Sequence, residues 1–180
     1  MSNAYPPETV TLRDGTAVRL RAIQPDDAPR LQALHARLST ESIFLRFLDQ
    51  RTALPDRDAQ QLANVDYRTR MAIVAALAEE PEQLIGVARY AAIDSAQLDT
   101  AEAAIVVQDD YQERGLGTIL VDRLVGYARG QGVHAFLATV HYSNAEIMRF
   151  IQRSGLTAQK KLEAGVWEIK INLDAAPDRA

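Results

Sequence analysis

Thr100-Ala101-Glu102-Ala103-Ala104-Ile105-Val106-Val107 is followed, after Gln108 to Tyr111, by Gln112-Glu113-Arg114-Gly115-Leu116-Gly117-Thr118. The first stretch is apolar with β-branched residues at its end and reads as a strand. The second places two glycines just ahead of Ile119, Leu120, Leu124, Val125 and Ala128, a spacing that predicts a helix ended by Gly130 and Gly132. Strand, glycine loop and helix N-terminus thus follow one another. Glycine lets a backbone approach a ligand closely and take positive φ. The first-turn amides of a helix have no partner within it, and the positive end of the helix dipole lies behind them. Such a loop suits a pyrophosphate, and Arg114 would add positive charge at its rim. The plainer alternative is a tight strand-to-helix turn that binds nothing. Two other phosphate loops fail. A dinucleotide fingerprint needs a third glycine where Leu120 stands and an acidic residue at the end of the next strand, where Thr139 and Val140 stand. A Walker loop needs a lysine, and the chain has none before Lys160.

Downstream, Ala135 to Val140 reads as a buried strand, Asn144 as the cap of a helix carrying Ile147, Met148 and Ile151, and 156–162 with 166–173 as a closing antiparallel pair. Upstream, Met71 to Leu77 and Leu84 to Tyr90 read as strands joined by a short polar break, hence antiparallel. Further upstream are three helices, from Asp27 to about Leu38, from Thr40 to about Leu48, and from Pro55-Asp56 to near Asn64. The chain opens with a hairpin whose alternating residues flank Asp14-Gly15. Thr100 to Val140 forms a βαβ unit, which should be parallel and right-handed. The class is α+β with a mixed sheet. Residues 1–9 are expected to be a flexible N-terminus, in which Ser2-Asn3-Ala4 has the look of a cloning scar. Residues 10–173 are expected to form one domain and 174–180 a frayed tail.

The 180 residues are 47% apolar and 24% charged, ordinary for a globular domain. There is no cysteine, which excludes disulfides, thiolate metal sites and a cysteine nucleophile. Three scattered histidines give no metal spacing. A net charge of −4 argues against general nucleic-acid binding. No apolar run approaches the roughly 18 residues of a membrane span, and the N-terminus lacks the features of a signal peptide. The expected setting is cytoplasmic, with no membrane and no nucleic acid as partner.

Gln112-x-x-Gly115-x-Gly117, five residues after Val107, resembles motif A of the GCN5-related N-acetyltransferase (GNAT) superfamily. The Asn144-started helix ending at Gly155-Leu156 looks like that family's second motif, and the order of elements from Val10 to Leu173 is similar to a whole GNAT domain. Arg46-Phe47-Leu48, Val65-Asp66-Tyr67, Met71 to Ala75 and Ala101-Glu102 further resemble the catalytic domain of Pat-type bacterial protein lysine acetyltransferases. Those enzymes often carry extra domains, and this chain would be a free-standing catalytic one. The resemblance implies a mostly antiparallel sheet with a splayed parallel central pair and helices on both faces. It implies acetyl-CoA as co-substrate, no metal, and an amine acceptor, either a protein lysine or a small molecule; a homodimer is compatible with it. It also implies a β-bulge that frees the backbone of Ile105, Val106 and Val107 to pair with pantetheine. Amides of Gln112, Glu113, Arg114, Gly115, Leu116, Gly117 and Thr118 would hold the pyrophosphate. The Asn144 side chain would reach the pantetheine arm near the sulfur; a helix cap is its other reading, and both can hold.

Acetyl transfer needs a neutral amine, yet a lysine amine titrates at about 10.4, so a base is required. Glu102 is the candidate: an acid among Ala101, Ala103 and Ala104 at the mouth of the expected splay, where partial burial would raise its pKa. It matches the glutamate of Pat-type and histone-type GNAT enzymes, and it could act through a water. A solvent-facing strand-end glutamate is the alternative, and Asp66 is a weaker candidate. Asp109 and Asp110 are expected in solvent. The Val106 or Val107 amide would stabilise the oxyanion. Many GNAT enzymes place a tyrosine where Ile151 stands, so the acid is Tyr142, water or nothing. His141 and Tyr142 could touch ligand; His35 and His134 read as structural or solvent-facing, and Trp167 as packing. A non-catalytic acyl-CoA-binding module is the competing class, and a nucleotide-binding oxidoreductase already fails at Leu120.

Overall fold

Asp14-Gly15 turns the chain as expected: Gly15 has φ 88°, and Asp14 Oδ1 accepts from the Thr16 amide at 3.1 Å. The strands on either side are β1, Glu8–Thr11, and β2, Ala17–Ala22. The computed structural model describes residues 5–49 and 52–174. The expected tail beyond 174 and Ser2-Asn3-Ala4 lie outside them. β1 opens at Glu8, and Tyr5 packs on the core ahead of it.

Three helices follow, α1 (Ala28–Ala36), α2 (Thr40–Phe47) and α3 (Asp56–Ala63). Leu48, at φ 54°, closes α2 in the left-handed region. Next come β3 (Arg70–Leu77), β4 (Leu84–Ala92) and β5 (Thr100–Val107). The glycine loop leads into α4 (Leu116–Gly130), β6 (Ala135–His141) and α5 (Ala145–Arg153), and β7 (Ala158–Glu163) and β8 (Val166–Asn172) close the fold. The eight strands form one mixed sheet in the order β1-β2-β3-β4-β5-β6-β8-β7.

Strand alternation divides the core. Met71, Ile73 and Ala75 of β3 pack with Leu116, Leu120 and Leu124 of α4. Ala72, Val74 and Ala76 pack on the other face with Leu31 and Leu34 of α1, Ile43 of α2 and Ala59 of α3. β3 is therefore apolar on both sides, which is why it reads as an unbroken run. A Cβ at Gly86 of β4 would lie 3.2 Å from the Leu120 side chain, so glycine there lets α4 close on the sheet. A third cluster joins α5 to the far sheet through Val140, Ile151 and Ile169, with Trp167 against it.

β5 and β6 are the parallel pair, and they stay together for three residues: Thr100↔Ala135, Ala101↔Phe136 and Glu102↔Leu137. Beyond Glu102, β5 continues with β4 to Gly86↔Val107, while β6 continues with β8 to His141↔Val166. The expected splay is present. The expected β-bulge in β5 is not, because its register with β4 runs unbroken from Ala101 to Val107. The register shift lies one strand over, between β3 and β4 at Ala75/Ala76. Divergence of two continuous strands, rather than an inserted residue, opens the sheet.

Candidate active site

A cavity of about 900 Å³ occupies the fork. Its walls bring together Ile105, Val106 and Val107 of β5, Gln112, Glu113, Gly115, Gly117 and Thr118 of the loop and α4, and Asn144 at the head of α5. These are most of the residues singled out from the sequence.

The backbone of β5 decides what faces that space. Ile93 N donates to Thr100 O at 3.1 Å, and Gln108 N donates to Ile85 O at 2.8 Å. In an antiparallel ladder directly bonded pairs alternate. Glu102, Ala104 and Val106 therefore also turn their amides and carbonyls to β4. Ala103, Ile105 and Val107 turn theirs away from β4, toward the gap. Val106 thus contributes its side chain to the wall, and its amide is not the oxyanion donor expected of it. The Val107 carbonyl already accepts from Gln112 Nε2 at 3.0 Å. That leaves Ile105 with both polar groups, and Val107 with its amide, facing the cavity.

At the loop, Glu113 (φ 57°) and Gly115 (φ 91°) take left-handed conformations that turn the chain into α4. No side chain caps α4, so the amides of Leu116, Gly117 and Thr118 have no partner within the helix. The Leu116 side chain is buried in the core, so only its backbone can serve a ligand. A Cβ at Gly117 would meet Ile105 Cδ1 at 3.8 Å, and the helix start lies close against β5. Arg114 does not stand free at the rim. It is ion-paired with Asp14 and lies over the Tyr111 ring at 5.2 Å. Asn144 is the α5 cap: Oδ1 accepts from Ile147 N at 3.1 Å, which leaves its Nδ2 donors beside the cavity.

Asp109 also departs from expectation. It is half-buried and lines the cavity, and it accepts Ser39 N at 2.9 Å, Ser39 Oγ at 2.6 Å and Ser42 Oγ at 2.8 Å. Burial pushes its carboxyl up, but the Ser39 and Ser42 hydrogen bonds outweigh this and hold it below the ordinary carboxylate value. Asp109 thereby fastens the start of α2, and with it Ser42, Leu45 and Arg46, to the wall. The weaker candidate Asp66 organises its own turn, accepting Arg68 N and Arg70 N at 2.9 Å each.

Glu102 is exposed, contrary to the partial burial expected of it, and it is not in the cavity wall. It is the last β5 residue in register with β6, at the point where the strands part. Alternation puts its side chain on the face of Val106, the side that carries α1 to α3. Arg89 of β4, opposite Ala104, shares that face, and its Nη2 donates to Leu62 O at 2.8 Å. Burial, then Arg46 and Arg70, push its guanidinium down to about 10. Neither His141 nor Tyr142 lines the cavity. Tyr142 is 62% exposed, and His141 packs edge-on to Phe44 of α2 at 5.0 Å. Ile151 is buried and supplies no acid.

Residues that linear reading missed complete the wall: Arg13 from the hairpin, Ser42 and Arg46 from α2, Arg149, Phe150 and Arg153 from α5. The α5 residues carried a signal, since they recur along the helix that Asn144 starts. Arg13 carried none beyond adjacency to a turn. Among the described residues no group of acids and histidines could hold a metal, and no helix is long and apolar enough to cross a membrane.

A family model for the acetyltransferase (GNAT) family matches residues 36–156. An acetyltransferase of Pseudomonas aeruginosa is 29% identical over 151 residues, 83% of this chain and 80% of that protein. The acetyltransferase Pat of Mycolicibacterium smegmatis is 31% identical over 83% of this chain, which spans 44% of that protein's length. The crystal structure of the GNAT domain of S. lividans PAT matches with a TM-score of 0.85 at 30% identity, covering 93% of this chain and 99% of that one. With its parted parallel strands above an uncapped glycine-led helix, the chain belongs to the acetyltransferase (GNAT) family and is an N-acetyltransferase.

Proposed function

We propose that this chain moves acetyl from acetyl-CoA to a primary amine by direct attack in a ternary complex, the acceptor being a lysine of a protein. The observation that carries the donor is the parting of β5 from β6 after Glu102, which leaves the polar groups of Ile105 and the Val107 amide facing a cavity that ends on the first turn of α4. Pantetheine would pair with those strand groups. The pyrophosphate would lie on the amides that run from Gln112 through Thr118, with the unpartnered ones at Leu116, Gly117 and Thr118. The Asn144 Nδ2 group would donate to the arm near the sulfur. The likeness to the Pat sequence and the PAT domain supports a protein lysine acceptor.

The chemistry follows from charge. The amine nitrogen attacks the thioester carbon; a C–N bond forms and the C–S bond breaks. Negative charge collects on the carbonyl oxygen, where the Ile105 or Val107 amide can donate. Glu102, at the fork and open to solvent, takes the amine proton through a water. The sulfur leaves as a thiolate, and since thiols titrate at about 8.5, it needs no acid to do so. Solvent protonates it, consistent with a buried Ile151 and an outward Tyr142.

A second reading, a small-molecule amine, is favoured by Arg89. A guanidinium beside Arg46 and Arg70 on the face of Glu102 suits an acceptor that carries a carboxylate. Thiol release from acetyl-CoA, measured with lysine-bearing proteins, free amino acids and polyamines, separates the two. For Glu102→Gln the expected outcome is retained coenzyme A affinity with turnover reduced by roughly 10² to 10⁴. Unchanged turnover would remove Glu102 from the mechanism. Coenzyme A uptake by the wild type without turnover on any amine would make the chain a binding module.

A further inference from the structure

The cation that the loop sequence offers, Arg114, is held elsewhere by Asp14 and Tyr111. Its main chain does something else. The Arg114 carbonyl accepts from the Arg13 amide at 3.1 Å. Arg13 and Asp14 belong to the turn between β1 and β2, so this hairpin is fastened to the glycine loop twice, once through backbone and once through an ion pair. The fastening carries the Arg13 side chain over the loop. Arg13 Nε lies 3.5 Å, and Cγ 3.7 Å, from the place a Cβ on Gly115 would occupy. Arg13 lines the cavity and is exposed, and among the described residues no carboxylate pairs with it.

A guanidinium beside unpartnered helix-start amides is complementary to a diphosphate: the amides bind oxygens along the helix axis, and the planar fork binds two more from the side. Four acids share the wall. Asp109 is occupied by Ser39 and Ser42, Asp122 of α4 interacts with Arg123, and Glu41 and Glu113 are exposed, where solvent screens them. The other arginines of the wall that follow the loop in sequence, Arg149 and Arg153, stand on α5, the opposite side of the fork.

We propose that Arg13, delivered by the N-terminal hairpin, is the side chain that grips the diphosphate of the coenzyme, and that the hairpin is therefore part of the donor site. This rests on the acetyl-CoA reading above. It assigns the hairpin a binding role that the glycine motif, about 100 residues away, does not contain.

Calorimetry on the intact chain with coenzyme A and 3′-dephospho-coenzyme A, and kcat/KM with S-acetylpantetheine, which has no phosphate, test it. For Arg13→Gln both coenzyme affinities should fall by the same factor, about 10- to 100-fold. The S-acetylpantetheine value should stay at the wild-type level, Arg13→Lys should restore part of the loss, and added salt should shrink it. Wild-type coenzyme affinity in Arg13→Gln overturns the proposal. So does an equal loss with S-acetylpantetheine, which would mean a structural role, or a loss confined to the coenzyme that bears the 3′-phosphate. A wild type that takes up no coenzyme A would instead defeat the acetyl-CoA reading itself.

Discussion

Asp27 stands at the start of the first helix, and its carboxylate serves an ion pair as well as the local turn. It is fully buried, receives Arg21 at 2.6 and 2.7 Å and Arg30 at 3.0 Å, and accepts the Gln24 amide at 2.8 Å. Burial pushes its carboxyl up, while Arg21 and the Gln24 amide more than offset that and hold it below the ordinary value. A folded-state pKa below the unfolded one means stability that is present above the ordinary carboxylate range and lost as pH falls through the folded value. Asp109 has the same sign. Asp27→Asn is expected to cost about 3 kcal/mol near neutral pH, since it strands a partly buried Arg21. At 2–4 °C per kcal/mol that is about 6–12 °C of melting temperature. Melts of variant and wild type should converge below about pH 4; a gap that stays constant down to pH 2 would contradict the pairing. From the sequence, Asp27 was visible as an acid near a helix start but not as the partner of Arg21. Asp109 was misread as solvated because its partners, Ser39 and Ser42, lie about 70 residues away.

The elements were more legible than their junctions. Helical spacing found α4, Asp-Gly found the first hairpin, and apolar runs found β3 to β6, because each is a local pattern of side chains. The fork is not local. Ala103 to Val107 would suit a paired strand as well as a parted one, so only the likeness to a family announced the splay. The accompanying bulge was wrong because register belongs to the pair: β4 holds β5 continuous. Backbone polarity was also hidden; which of Ile105, Val106 and Val107 face the gap follows from hydrogen bonds at Gln108 and Thr100. The loop is where local and tertiary demands meet. Gly115 has φ 91°, which costs a side-chain residue about 1–2 kcal/mol, while a Cβ there would only touch the Arg13 side chain, 3.5 Å from its Nε. Gly115→Ala is therefore expected to relax the turn in the free protein and to weaken coenzyme A binding about tenfold, because binding must restore the strained conformation. Titration calorimetry giving wild-type affinity would show that the alanine turn keeps that conformation without the coenzyme.

Across the whole molecule, one sheet has helices on both faces, and the cavity at its fork draws on both. The loop and α4 line it from one side and Ser42, Leu45 and Arg46 of α2 from the other, the side that also carries Glu102 and Arg89. The gap between β5 and β6 is where the two sides communicate, and N-terminal residues reach it through the hairpin while C-terminal ones reach it through α5. This placement explains why a site assembled from residues 13 to 155 showed in the sequence mainly as its glycine loop. It also makes the donor reading open to direct observation, because binding should protect particular amides rather than the protein at large. The decisive measurement is amide hydrogen exchange by NMR with and without saturating acetyl-CoA. Exchange at Ile105 and Val107 should slow strongly, together with Leu116 to Thr118, while Val106, already bonded to β4, changes little. Unchanged exchange at Ile105 and Val107 with acetyl-CoA bound would contradict the account.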